Sequence, residues 1–220
     1  MKIRGGSPLR TLLIECVTDT AFIAAHSAGR YAHRHAQGKA THSTKLFSLI
    51  EESLAECGIT VRDVELICAG IGPGSFTGIR IGLTTARMLA QVLSVPLVGL
   101  KSTEIYAASL AKNPGEQILA AFDAKKGRVF GGLYIVGEGN ILNEIVTPGD
   151  YYPEELASHI DSTARTVIAG DGAERYREVF SKGNQHIEII EGFMPDGKSA
   201  IDLALRTYAA DSGSFTDIEK

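Results

Sequence analysis

The chain has 220 residues, of which 44% are hydrophobic and 22% charged, and its formal net charge is −4. This length and composition suit one large α/β domain or two small lobes with real cores. They exclude the strongly basic footprint of a free-standing nucleic-acid binder.

Lys2, Arg4 and Arg10 precede an apolar run over residues 11–14, but Glu15 and Asp19 interrupt it, so no signal-peptide core forms. No run of about 18 apolar residues marks a membrane span, and the expected location is cytoplasmic. Short β-prone runs at 11–14, 21–25 and 31–35 predict adjacent strands of a meander. A first helix is expected over 42–57. Ser43 serves as N-cap after His42, apolar residues recur at Leu46, Leu49, Ile50, Leu54 and Cys57, and Gly58 takes the C′ position. Residues 64–71, VELICAGI, form a nearly continuous apolar run, as expected of a parallel strand covered on both faces. A glycine-rich turn over 72–78 leads into a helix of about 77–94 that ends before Pro96. A strand at 95–100 and a helix at 103–111 follow, then the breaker Asn113-Pro114-Gly115.

Beyond it come a strand at 118–122 ending at Asp123 and its hairpin partner at 128–136 across Lys125-Lys126-Gly127. A strand at 141–146, a helix at 153–160, a strand at 166–169, a helix from Gly170 through Phe180, a strand at 187–190 and a terminal helix at 199–210 complete the chain. The alternation predicts two α/β lobes, residues 1–103 and 104–220, with the terminal helix packing back on the first.

Two readings of the turn Gly72-Pro73-Gly74-Ser75-Phe76-Thr77-Gly78 stand side by side. Strand, glycine turn and helix N-terminus can cradle a phosphate, yet Ile79 stands where a P-loop needs lysine and the G-x-G-x-x-G spacing is missing. The alternative is a sharp, close-packed strand-to-helix connection with Thr77 as the N-cap. The helix itself is over-apolar. Ile79, Leu83, Ala86, Ala90 and Leu93 form one stripe, Ile81, Met88 and Val92 lie partly off it with Leu89 between, and Gly82, Ala86 and Ala90 recur every four residues, as if to let a second helix approach. Leu46, Leu49 and Ile50 of the first helix join that candidate partner face. Substituting Ala86→Arg or Ala90→Arg is expected to break pairing and leave the monomer folded. Arg80 in the helix's first turn opposes the macrodipole, so a carboxylate or carbonyl cluster is expected to hold it.

Residues 72–82, GPGSFTGIRIG, closely resemble the GPGSFTGLRIG signature of the TsaB family, also called YeaZ. His42-Ser43 is similar to that family's helix start. The segment from Asp123 to Phe130 is similar to its Asp-Ala-Arg-x-Gly-Glu-Val-Tyr hairpin, and Gly170-Asp171-Gly172-Ala173 to its Gly-x-Gly turn. The resemblance implies a two-lobed actin/sugar-kinase/heat-shock ATPase-like (ribonuclease H-like) α/β fold. It implies a non-catalytic partner of TsaD in threonylcarbamoyl transfer to N6 of adenosine 37 in tRNAs reading codons that start with A. TsaE joins the assembly, TsaC supplies the threonylcarbamoyl-adenylate, tRNA is reached indirectly, and the protein alone is a homodimer. Both kinds of dimer use the first two helices. The sequence departs from the family at Glu15-Cys16-Val17, where Asp-Thr-Ser is usual, and in lacking the Pro-x-Tyr-x-Arg ending.

No catalytic, cofactor or metal residue is assigned. The six histidines, at 26, 33, 35, 42, 159 and 186, show no H-x-x-x-H pair of the kind TsaD proteins carry. Cys16, Cys57 and Cys68 show no C-x-x-C spacing and read as buried thiols. Asp123 reads as a hairpin aspartate held by backbone amides or Lys125, and Lys125, Lys126 and Arg128 as the best basic patch. The alternative function is an ATP-dependent phosphotransferase of the same superfamily.

Overall fold

The computed structural model describes residues 8–38 and 45–211, apart from the side chain of Asp211. The expected His42-Ser43 helix start lies outside these residues. The chain divides into two compact units. The first holds the described residues up to Ile71, Ser75–Leu100 and those from Asp196 onward; the second holds Gly72–Gly74 and Lys101–Pro195.

In the first unit, β1 (Thr11–Glu15), β2 (Thr20–Ser27) and β3 (Arg30–Gln37) form the expected meander, followed by α1 (Leu46–Glu56), β4 (Leu66–Gly70), α2 (Phe76–Leu93) and β5 (Leu97–Leu100). The sheet order is β3-β2-β1-β4-β5. β1 pairs antiparallel with β2 and parallel with β4, and β4 pairs parallel with β5. Every residue of β1 and β4 is buried, including the polar Thr11 and Glu15 at the two ends of β1, as the central places of these strands in the sheet require. α1 ends in a Schellman motif: Gly58 takes φ +73°, its N–H donates to Ala55 O, and the Ile59 N–H donates to Leu54 O.

In the second unit, α3 (Ser102–Leu110) precedes β6 (Gln117–Lys125), β7 (Arg128–Val136), β8 (Leu142–Tyr151), α4 (Pro153–Ala157), β9 (Thr166–Ala169), α5 (Asp171–Arg175), α6 (Arg177–Ser181) and β10 (Ile187–Ile190). The order β10-β9-β6-β7-β8 repeats the first sheet, with the opening strand antiparallel to its hairpin partner and parallel to the strand beyond. Leu119, Leu133, Leu156, Ile168 and Phe180 share one core cluster, and Leu110, Ile118, Tyr134 and Val167 another. The last helix, α7 (Gly197–Asp211), groups with the first unit.

Three expectations are corrected. The strand expected to end at 146 runs to Tyr151, because an edge strand tolerates Pro148. The helix expected over 153–160 ends at Ala157. The helix expected through Phe180 breaks at Tyr176, which leaves helical dihedrals at φ −109°, ψ 29° and separates α5 from α6.

Candidate functional site

The signature turn is a joint. Gly72 takes φ +94°, its N–H donates to Ser102 Oγ at 3.1 Å, and its carbonyl accepts the Ser102 N–H at 2.9 Å. Helix α2 then starts one residue earlier than expected, and Ser75 rather than Thr77 is the N-cap. Its Oγ accepts the Gly78 N–H at 3.3 Å, and its own N–H donates to Val17 O at 2.7 Å. Gly78 is required by proximity, since a Cβ there would collide with the carbonyl oxygen of Cys16. Phe76 and Thr77 are exposed, and Pro73 and Gly74 half-buried. Among the described residues no carboxylate or carbonyl holds Arg80: its guanidinium lies 4.0 Å from the centroid of the Phe76 ring. That cation–π contact leaves both groups at the surface.

The expected partner face points the wrong way. Leu46, Leu49, Ile50, Ala86 and Ala90 are buried in the first unit's own core with Ile14, Cys16 and Ile67. Leu83 packs at the margin of that core, and Ile79 is half-buried. The small-residue column therefore fits α2 to the sheet rather than to a second helix. A Cβ at Gly82 would lie 3.2 Å from Cys16 Cβ and 3.7 Å from Ile14 Cγ2. The outward face is a different column at the same i, i+4 spacing: Phe76, Arg80, Thr84, Met88 and Val92. Phe76 is 68% exposed, Met88 45% and Val92 75%, and Phe47 of α1 is also exposed. The two helices differ in charge. α2 carries two arginines and no acid, while α1 carries three glutamates and no base. A second apolar column at i, i+4 was the signal for this face in the sequence.

In the second unit, Asp123 sits just before the β6–β7 turn. One carboxylate oxygen accepts the Lys125 N–H at 2.9 Å; the other meets Lys125 Nζ at 2.7 Å and an Arg175 nitrogen at 3.0 Å. Burial pushes its pKa upward, but these hydrogen bonds and charges prevail and hold it below the ordinary aspartate range. Lys125, Lys126 and Gly127 all take positive φ, 67°, 52° and 80°. Arg128 binds Asp150 at 2.7 Å and lies 4.4 Å from the centroid of the Tyr152 ring. Lys125 and Arg128, two of the three cations of the expected basic patch, thus have anionic partners.

His33, His35, His159 and His186 are exposed, and His42 lies outside the described residues. His26 is buried: Nδ1 meets Leu9 O at 3.1 Å and Nε2 accepts the Gly29 N–H at 3.3 Å. All three cysteines are buried and unpaired. Burial, with the charge of Glu15 second, pushes the Cys16 thiol up to about 12, and burial also pushes the Cys68 thiol up. Among the described residues no cluster of His, Cys, Asp and Glu could hold a metal ion, and no helix is long and apolar enough to cross a membrane.

A family model described as TsaD, tRNA N6-adenosine threonylcarbamoyltransferase, matches residues 35–190. The tRNA threonylcarbamoyladenosine biosynthesis protein TsaB of Escherichia coli is 24% identical over 203 residues, 91% of this chain and 88% of that protein. TsaB of Haemophilus influenzae is 29% identical over 208 residues, 91% of this chain and 86% of that protein. The structure of YeaZ from Pseudomonas aeruginosa superposes with a TM-score of 0.80 at 24% identity, covering 93% of this chain and 94% of that one.

Proposed function

The chain belongs to the TsaD family of tRNA N6-adenosine threonylcarbamoyltransferases, in its TsaB (YeaZ) branch, and we propose that it is a non-catalytic partner subunit of TsaD. In this reading it supports threonylcarbamoyl transfer to N6 of adenosine 37 in tRNAs that read codons starting with A. TsaE joins the assembly, tRNA is engaged through the other subunits, and the work is done in the cytoplasm. The observation that carries the reading is the exposed column Phe76, Met88 and Val92 on an 18-residue helix. A surface helix normally turns one apolar stripe inward, and a second, outward stripe marks a protein contact. The same face serves a homodimer when TsaD is absent. The opposite charge of α1 supports pairing in which α2 of one subunit meets an acidic helix of the other.

The test is co-elution of the full chain with TsaD from the same organism, together with threonylcarbamoyladenosine formation in the reconstituted reaction. Wild type is expected to co-elute and to raise product formation. Met88→Glu and Val92→Glu are expected to lose both while melting at the wild-type temperature. Absence of co-elution and of any gain in product with wild type would sink the proposal.

A further inference from the structure

The fold implies a nucleotide, because strand, glycine turn and helix N-terminus are where such proteins take phosphate. The first unit's residues do not fit that ligand. Glu15 closes β1, and it is 2% exposed. Its Oε1 accepts the Val17 N–H at 2.8 Å. The carboxylate lies against Gly70, the last residue of β4, where a Cβ would collide with Oε2. Val17 in turn accepts the N–H of Ser75, the cap of α2, at 2.7 Å. One short chain of contacts therefore runs from the Glu15 carboxylate through Val17 to the start of α2. The Val17 N–H, a donor in the turn after β1, is already taken by the Glu15 carboxylate, and a second negative charge beside it would be repelled.

We infer that Glu15 is a built-in anion: it fills the space between the ends of β1 and β4 from within, so that the junction of β1 and α2 is set without nucleotide. The side chain replaces the external ligand, and the turn becomes a fixed joint.

Calorimetric titration and thermal melting of the full chain test this. Wild type is expected to give no saturable heat with MgATP, MgADP or inorganic phosphate, and no change in Tm. Glu15→Ala removes the tethered anion, and its Tm is expected to fall by several degrees. Sodium formate, a free carboxylate small enough for the vacated volume, is expected to restore part of that loss, whereas equal concentrations of sodium chloride restore none and formate leaves wild type unchanged. Saturable binding of MgATP or phosphate to wild type overturns the inference. So does a Glu15→Ala chain that melts like wild type, or one rescued no better by formate than by chloride. Should Glu15→Ala fail to fold, Glu15→Gln decides: a Tm below wild type supports a required anion, and an unchanged Tm overturns it.

Discussion

The two units share one sheet topology and spend it differently at equivalent positions. Ile14 pairs with Ala69 in the first sheet, and Ala120 pairs with Ala169 in the second. The next residues are Glu15 and Gly70 in one unit, Ala121 and Gly170 in the other. In the first, the gap between strand end and turn is filled by the Glu15 carboxylate lying on Gly70. In the second, Ala121 has nothing to insert. The backbone closes up instead: Gly170 takes φ +114°, and a Cβ there would collide with Ala121 O. The second unit's acid is displaced two residues onward to Asp123, where it meets two exposed cations. Each sheet thus has a glycine at the end of the parallel strand beside its opening strand, Gly70 closing β4 and Gly170 following β9, while the filling of the space before it differs.

The largest expected effect separates the two faces of α2. Ala86→Arg forces a cation into a closed core and should cost about 4 kcal/mol or more, enough to unfold the first unit in a urea titration. Val92→Arg on the opposite face should change stability by no more than about 0.5 kcal/mol and abolish pairing in sedimentation experiments. Equal stability of the two variants would contradict the orientation of the helix.

Next come the glycines that launch the helices. Gly78→Ala would collide with Cys16 O, and Gly172→Ala lies too close to the Phe122 carbonyl; each should lower stability by about 1–3 kcal/mol in chemical denaturation. Gly127→Ala meets no neighbour but must hold φ +80°, so about 1 kcal/mol is expected. A harmless Gly172→Ala would break the equivalence of the two turns.

Asp123→Asn should cost about 1 kcal/mol at pH 7 by weakening its charge-assisted bonds. Because its folded pKa is lowered, the stability it adds is present above the unfolded value and is lost as pH falls through the folded one. The difference in Tm between wild type and Asp123→Asn should therefore be full above about pH 5 and shrink in acid. A gap that widens in acid would assign the stability to another group.

The smallest effect is at the hairpin tip. Lys126 and Gly127 both have positive φ, the pattern of a type I′ turn, in which asparagine is favoured at the first central position. Lys126→Asn should raise stability by about 0.5 kcal/mol, read as a small increase in Tm.

The sequence by itself determined the order of elements, the α/β class and the location of the signature turn. These depend on local signals: buried runs such as residues 66–70, the glycine and proline breakers, and the C′ glycine at 58. It also placed Asp123 against Lys125, because that contact spans two residues. What it left open was which apolar column of α2 faces inward. Periodicity shows that a helix has apolar faces, but it carries no sign, and Gly82, Ala86 and Ala90 suit close packing against a sheet as well as against a helix. Only the tertiary structure decided this, through the fit of Gly82 to Cys16 and Ile14, residues some 70 positions away in the chain. Glu15 followed the same rule. Its sequence neighbourhood shows an unusual acid, and only the tertiary structure shows it buried, with its carboxylate against Gly70 of another strand.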